Sequence, residues 1–159
     1  MPVDVSSVIY AREFLTPEFI RELIPLLEAH WSEIDHADIP MAPDWAFYSG
    51  VEEAGMLRIY TVRSSGSLKG YCVFFVNRAP HSKGSTQARA DLIYLDPEIR
   101  GRFVGSRFIS WCTEQLRAEG VEMVYHTVNA KHDWGEILRR QGFDLHEYVY
   151  SKRLDQEAA

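Results

Sequence analysis

Apolar residues along this chain switch between two spacings, and each switch marks a new element. Val5 to Glu13 carries the alternating, β-branched pattern of a strand. Thr16-Pro17 then opens a helix, with threonine as N-cap and proline at the first helical position. Phe19, Ile20, Leu23, Ile24, Leu27, Trp31 and Ile34 form its single apolar face. Asp35 to Asp44 reads as loop, and a shorter helix follows from about Pro43 to Ala54, ended by Gly55. Met56–Val62 and Gly70–Val76 are strands joined by a turn at Ser64–Ser67, hence a hairpin. The second of them is apolar throughout, so it belongs in the middle of a sheet covered on both faces. Arg78 to Gln87 is a polar loop.

The next stretch is the most informative. Asp91–Leu95 reads as a strand, stopped by Asp96-Pro97-Glu98, because proline has no amide for a sheet ladder. A short loop with Gly101 and Gly105 leads into a helix whose apolar positions are Val104, Phe108, Trp111 or Cys112, and Leu116. Gly120 closes that helix. Val121–Val128 is a strand placed as a βαβ crossover requires, so it should run parallel to Asp91–Leu95. Asn129–Asp133 leads into a short helix through Arg140, Gly142 ends it, and Phe143–Leu154 reads as a last strand before a frayed tail at Asp155–Ala159. The order β-α-α-β-β-β-α-β-α-β predicts an α/β (α+β) fold. Its sheet should be mostly antiparallel, of about six strands with one parallel pair, flanked by about four helices. The far edge of such a sheet has no visible cover, and a second subunit, making a homodimer, could supply one.

With 159 residues, the chain is expected to form one domain over 1–159. Net charge is −6, which argues against indiscriminate nucleic-acid binding and favours cationic partners such as amines. Only a local patch of Arg78, Lys83 and Arg89 would reverse that. Cys72 and Cys112 lie in apolar runs without metal-ligand spacing, so they read as reduced core residues in a cytoplasmic protein, and no metal is expected. Met1-Pro2-Val3-Asp4 does not open a signal peptide, and no apolar run is long enough to span a membrane.

A glycine-bearing loop at a helix N-terminus is an anion site, because first-turn amides are unpaired and carry partial positive charge. Arg100, Arg102 and Arg107 add full charges beside it. A plain strand–turn–helix link with solvated arginines is the bland alternative. A dinucleotide or nucleoside-triphosphate loop is excluded by the absence of G-x-G-x-x-G and of G-x-x-x-x-G-K.

PEIRGRFVGSRFI resembles the pyrophosphate loop, Q/R-x-x-G-x-G/A, of the GNAT superfamily of acyl-CoA-dependent N-acetyltransferases. Arg100 stands at its first position and Gly105 at its last, while Phe103 replaces the inner glycine. The likeness extends through the element order. It implies a central parallel pair of strands that splay apart around the pantetheine of acetyl-CoA, with Ile93, Tyr94 and Leu95 contacting it through their backbone. It implies that Arg100, Gly101, Arg102, Phe103, Val104, Gly105 and Ser106 hold the pyrophosphate. Phe103 should donate its amide with φ still negative. Asn129 and His132 are further cofactor-binding candidates. The activity implied is acetyl transfer to a primary amine, on a small molecule or a protein.

That chemistry needs a proton acceptor, since only roughly one alkyl amine in a few thousand is neutral at pH 7. The candidates are Asp91, Tyr94, Glu122, Tyr125, His126, His132 and Asp133, with His126, Tyr94 and Tyr125 taken as catalytic. Packing within the sheet is the alternative for His126, and helix capping for Asp133. Many family members carry a tyrosine four residues before the glycine that ends the fourth helix. Leu138 stands there in this chain. Two further readings follow: a module that binds acyl-CoA without turning it over, and acetylation of a macromolecule, either a protein lysine or a modified nucleobase.

Overall fold

A computed structural model of the protein describes residues 5–34 and 38–155. Its elements are β1 (Val8–Glu13), α1 (Pro17–Glu33), α2 (Trp45–Glu53), β2 (Leu57–Ser64), β3 (Ser67–Arg78), β4 (Thr86–Leu95), α3 (Val104–Ala118), β5 (Met123–Tyr125) and α4 (Gly135–Arg140). Residues 1–4, 35–37 and 156–159 lie outside the described chain, and with them fall the N-terminal residues, part of the 35–44 loop and most of the expected frayed tail.

Local chemistry sets the ends of the helices. The Thr16 hydroxyl accepts from the amide of Phe19 and caps α1, with Pro17 at its first position. The Asp44 carboxylate accepts from the amide of Phe47 and caps α2. The β2–β3 hairpin turns on Ser65 and Gly66, both left-handed at φ +49° and +81°, a pairing whose twist matches the flanking strands.

The five strands lie in the order β1-β2-β3-β4-β5. The pairs β1/β2, β2/β3 and β3/β4 are antiparallel, and β4/β5 is parallel. Helices cover both faces. Tyr60, Val62, Cys72, Phe74 and Val76 meet Val104, Phe108, Cys112 and Leu116 of α3 on one face. Leu57, Ile59, Tyr71, Val73 and Tyr94 meet Phe19, Leu23 and Leu27 of α1 on the other. The apolar β3 thus sits mid-sheet between two layers.

Two features shape the region where function is expected. In the β3/β4 ladder Val73 faces Leu92 while Phe74 faces Ala90, so Asp91 is the extra residue of a β-bulge. The β4/β5 pairing covers only Gln87–Arg89 against Met123–Tyr125. Among the described residues no strand pairs with that edge of β4 beyond Arg89, and the two strands part there as a fork.

Three expectations need correction. The strand expected at Val121–Val128 is only Met123–Tyr125. The strand expected at Phe143–Leu154 is irregular backbone, so the sheet has five strands rather than six. Alternation in FDLHEYVYSKRL reports a segment suited to a ladder, but three residues of β5 offer too short a template. Phe103 has φ +63°, not the negative value expected, because Gly101, Arg102 and Phe103 all turn left-handed to enter α3.

Candidate active site

The site is built where the β4/β5 fork meets the N-terminus of α3. Leu95, the last residue of β4, is wedged between two glycines. A Cβ on Gly70 of β3 would lie 2.5 Å from Leu95 Cδ2 and 2.8 Å from the Tyr94 carbonyl oxygen. A Cβ on Gly105 would lie 3.3 Å from Leu95 Cδ1. The final glycine of the loop motif therefore brings the first turn of α3 close to the end of β4.

That first turn is open. Phe103, at the N-cap position, makes no side-chain cap; the Val104 amide donates to the Gly101 carbonyl oxygen at 3.1 Å, and the amides of Gly105 and Ser106 face the open end of the turn. Its ring is 73% exposed. Gln141, just past α4, donates to the Ser106 carbonyl oxygen at 2.7 Å and contacts its hydroxyl at 3.1 Å. The Tyr10 hydroxyl donates to the Val104 carbonyl oxygen at 3.4 Å. Beside this turn an open cleft of about 490 Å³ is lined by Tyr10, Ser106, Arg107, Ser110, Trp111 and Gln141. Its arginine and two serines suit an anion. Another concavity, of about 480 Å³, lies at the opposite end of the sheet beside Arg58 and Glu119, away from this chemistry.

Arg100 is committed elsewhere. Its Nε donates to the Leu95 carbonyl oxygen at 2.8 Å, and its terminal nitrogen reaches both Glu33 oxygens at 2.9 and 2.7 Å. Its guanidinium also lies 5.3 Å from the Tyr94 ring centroid. The residue ties the end of α1 to the end of β4.

On the α1/α2 face the fork carries a polar group of side chains. Asp91, at the bulge, accepts a 2.7 Å hydrogen bond from the Tyr48 hydroxyl on one carboxylate oxygen and is itself exposed. Burial, and then the hydrogen bond to Asp91, push the Tyr48 phenol far up, so it remains a donor. The Tyr48 ring stacks on Phe75 at 6.0 Å. Nearby, His30 Nδ1 and the Tyr71 hydroxyl lie 2.7 Å apart, and the His30 ring stacks on Tyr94 at 5.1 Å. Burial lowers the His30 pKa, Glu33 opposing and Arg100 assisting. Tyr94 is 5% exposed, with its ring in the α1 layer and its phenol pKa raised mainly by burial.

The other expected residues take distinct positions. His126 follows β5 where the fork opens, with Phe74, Trp134 and Phe143 around its ring at 5.4, 5.6 and 5.5 Å. Neither ring nitrogen has a hydrogen-bond partner among the described residues, and burial lowers its pKa to about 4. Tyr125 lies under the Arg89 guanidinium at 4.0 Å, with the His146 ring tilted against it at 6.5 Å. Asn129 Oδ1 accepts from the Lys131 amide at 2.8 Å, shaping the turn that leads to the exposed His132. Asp133 accepts from the Gly135 amide at 2.7 Å, capping the start of α4. Leu138, 7% exposed, packs into the core.

The fork thus brings together Ile93–Leu95, the loop from Arg100 to Ser106, and the pair Tyr48–Asp91. Sequence reading named Asp91 and Ser106 singly but missed the pairings Tyr48–Asp91, His30–Tyr71 and Gln141–Ser106. No local pattern marks them, since their partners are 43, 41 and 35 residues apart.

A family model described as the acetyltransferase (GNAT) family matches residues 18–143. A search of curated proteins finds no match. Among solved structures, the chain is similar to an aminoglycoside acetyltransferase from an uncultured soil metagenomic sample, at 16% identity and a TM-score of 0.69, over 94% of this chain and 99% of that one. It is similar to a ribosomal-protein-alanine N-acetyltransferase from Brucella melitensis biovar Abortus 2308, at 18% identity and a TM-score of 0.68, over 93% and 99%. It is also similar to a predicted acetyltransferase from Clostridium acetobutylicum, solved with acetyl-CoA, at 11% identity and a TM-score of 0.70, over 95% and 99%.

Proposed function

Because the chain belongs to the GNAT acetyltransferase family, we propose that it moves an acetyl group from acetyl-CoA to a primary amine, with Asp91 as the proton acceptor. The observation that carries this reading is the β4/β5 fork beside the uncapped α3 N-terminus. An unpaired strand edge offers backbone groups to an extended amide-bearing arm, and the open helix turn offers amides to phosphates. Ile93, Tyr94 and Leu95 are suited to the first role. Gly101 to Ser106, with Arg102 and Arg107, are suited to the second. Arg100 acts differently, by holding the end of β4 through Leu95 and Glu33.

The proton step rests on Asp91. As the amine nitrogen bonds to the thioester carbon, its proton becomes acidic, so the Asp91 carboxylate can accept it directly or through water. Tyr48 holds one Asp91 oxygen and leaves the other for the amine. An amide from the fork can meanwhile donate to the thioester oxygen. His126 stays neutral at pH 7, so it brings no proton to the departing thiolate. A thiol of pKa about 8.5 leaves without much help. Tyr94 and Tyr125 are the phenols carried by the fork's own two strands, β4 and β5.

The direct test is thioester consumption with acetyl-CoA against a panel of amines and peptides, with the product identified by mass. Asp91→Asn should lower turnover roughly 10²–10⁴-fold while leaving CoA affinity nearly unchanged. Unchanged turnover would remove Asp91 from the role. A second reading, an acyl-CoA-binding module without turnover, is favoured by the buried Leu138 at the position of the family's tyrosine. CoA binding with no transfer to any amine in the panel would make it the better account.

A further inference from the structure

Arg89 and Asp91 carry opposite charges two residues apart on β4, yet their polar ends part. Asp91 turns to the Tyr48 hydroxyl, and Arg89 turns to the Tyr125 ring of β5. Both belong to the α1/α2 face of the fork. Arg89 stands opposite Phe75 in the β3/β4 ladder, and Phe75 stacks with the Tyr48 ring that bonds Asp91.

The Arg89 guanidinium lies 4.0 Å from the Tyr125 ring centroid. Its N–H donors lie in the guanidinium plane, so a contact with the ring face uses none of them. The residue is exposed, and no carboxylate among the described residues pairs with it. An oriented, unspent guanidinium fork thus stands beside the carboxylate that takes the amine's proton. Residues two apart on a strand are about 7 Å apart at the backbone. A cation at Asp91 and an anion at Arg89 therefore need only a short link between them.

We propose that the acetyl acceptor is a free amino acid, its amine held at Asp91 and its carboxylate at Arg89. This rests on the acetyl-transfer reading with Asp91 as proton acceptor. A carboxylate fits better than a phosphate ester because one guanidinium balances its single charge, whereas the ester brings roughly 1.5–2. The ring of Phe47, 54% exposed and edge-on to Phe75, offers the side chain an apolar wall. In the reaction the substrate's ammonium first gives one proton to water. The neutral nitrogen then bonds to the acetyl carbon as the carbon–sulfur bond breaks. A second amine proton passes to Asp91, and CoA leaves as its thiolate. Arg89 holds the carboxylate alike before and during transfer, so it acts on KM more than on kcat.

The test compares alanine, leucine and phenylalanine, each beside the amine that lacks its carboxylate: ethylamine, isoamylamine and phenethylamine. At least one amino acid should exceed its partner amine roughly ten- to hundredfold in kcat/KM, the range of a contact between charged groups. Arg89→Gln should erase that preference through KM. Arg89→Lys, which keeps the charge and loses the fork, should keep part of it. Transfer to amines with no preference in any pair overturns the proposal and leaves the acetyltransferase reading standing. A preference that survives Arg89→Gln overturns it as well. If no compound is acetylated, calorimetry on the CoA-bound protein decides. An amino acid that binds more tightly than its partner amine, and loses the advantage in Arg89→Gln, supports the slot while the catalytic reading fails. The absence of any such difference overturns the slot.

Discussion

Phe103 holds φ +63° in an exposed loop, where glycine would be free of strain. The left-handed conformation costs an L-residue roughly 1–2 kcal/mol, partly offset because glycine loses more entropy on folding. With its ring largely in solvent, little packing is lost on substitution. Phe103→Gly should therefore raise stability by up to ~1 kcal/mol, seen as a higher urea midpoint with an unchanged slope. CoA affinity, measured by calorimetry, should hold or rise, because the loop amides keep their geometry. A clear loss of affinity would make the ring itself a ligand contact. The position was legible in the sequence as the motif's missing glycine. The sign of φ was not, because it depends on three successive residues turning together rather than on residue type.

At the scale of elements, the fork depends on how closely α3 and β3 approach the end of β4. Gly70 is where that approach is tightest, against both a side-chain carbon and the Tyr94 backbone oxygen. The Leu95 methyl can swing aside, but the backbone oxygen cannot. Gly70→Ala should cost about 1–3 kcal/mol and move Leu95, so weaker CoA binding should accompany the lower midpoint. Gly105→Ala, whose Cβ meets only the Leu95 side chain at 3.3 Å, should be milder. Gly70→Ala matching the wild type in both measurements would show that β4 has slack there. Elements defined by local chemistry were legible: the Thr16-Pro17 start of α1, the Ser65-Gly66 turn, and the 3.6-residue spacing of α3. The Phe143–Leu154 segment was misread because alternation shows that a stretch suits a ladder, not that a partner strand lies beside it. The Asp91 bulge was likewise invisible, since a bulge is a mismatch in register between two strands.

For the whole molecule, the most telling group is His126, because its state is linked to global unfolding. Its imidazole lies among three aromatic rings, both nitrogens without a hydrogen-bond partner among the described residues, and burial lowers its pKa from the ordinary 6.5 to about 4. In the unfolded chain the ring takes up a proton as pH falls through 6.5, while in the folded protein it stays neutral down to about 4. The unfolded state thus binds more protons throughout that window, so folding stability must fall as pH drops across it. The slope from this one ring is about 1.4 kcal/mol per pH unit, and the full loss by pH 4 is about 3 kcal/mol. Carboxylates contribute to acid sensitivity as well, so the prediction concerns a difference between two proteins. His126→Leu keeps the site apolar and removes the titration. Its urea midpoint should fall less than the wild type's between pH 7 and pH 4.5. Two proteins that lose stability in parallel would mean that the ring finds a partner or water in solution. If the wild type with CoA bound loses the excess pH sensitivity, the ligand satisfies the ring, and His126 belongs to the acyl-CoA site rather than to the core.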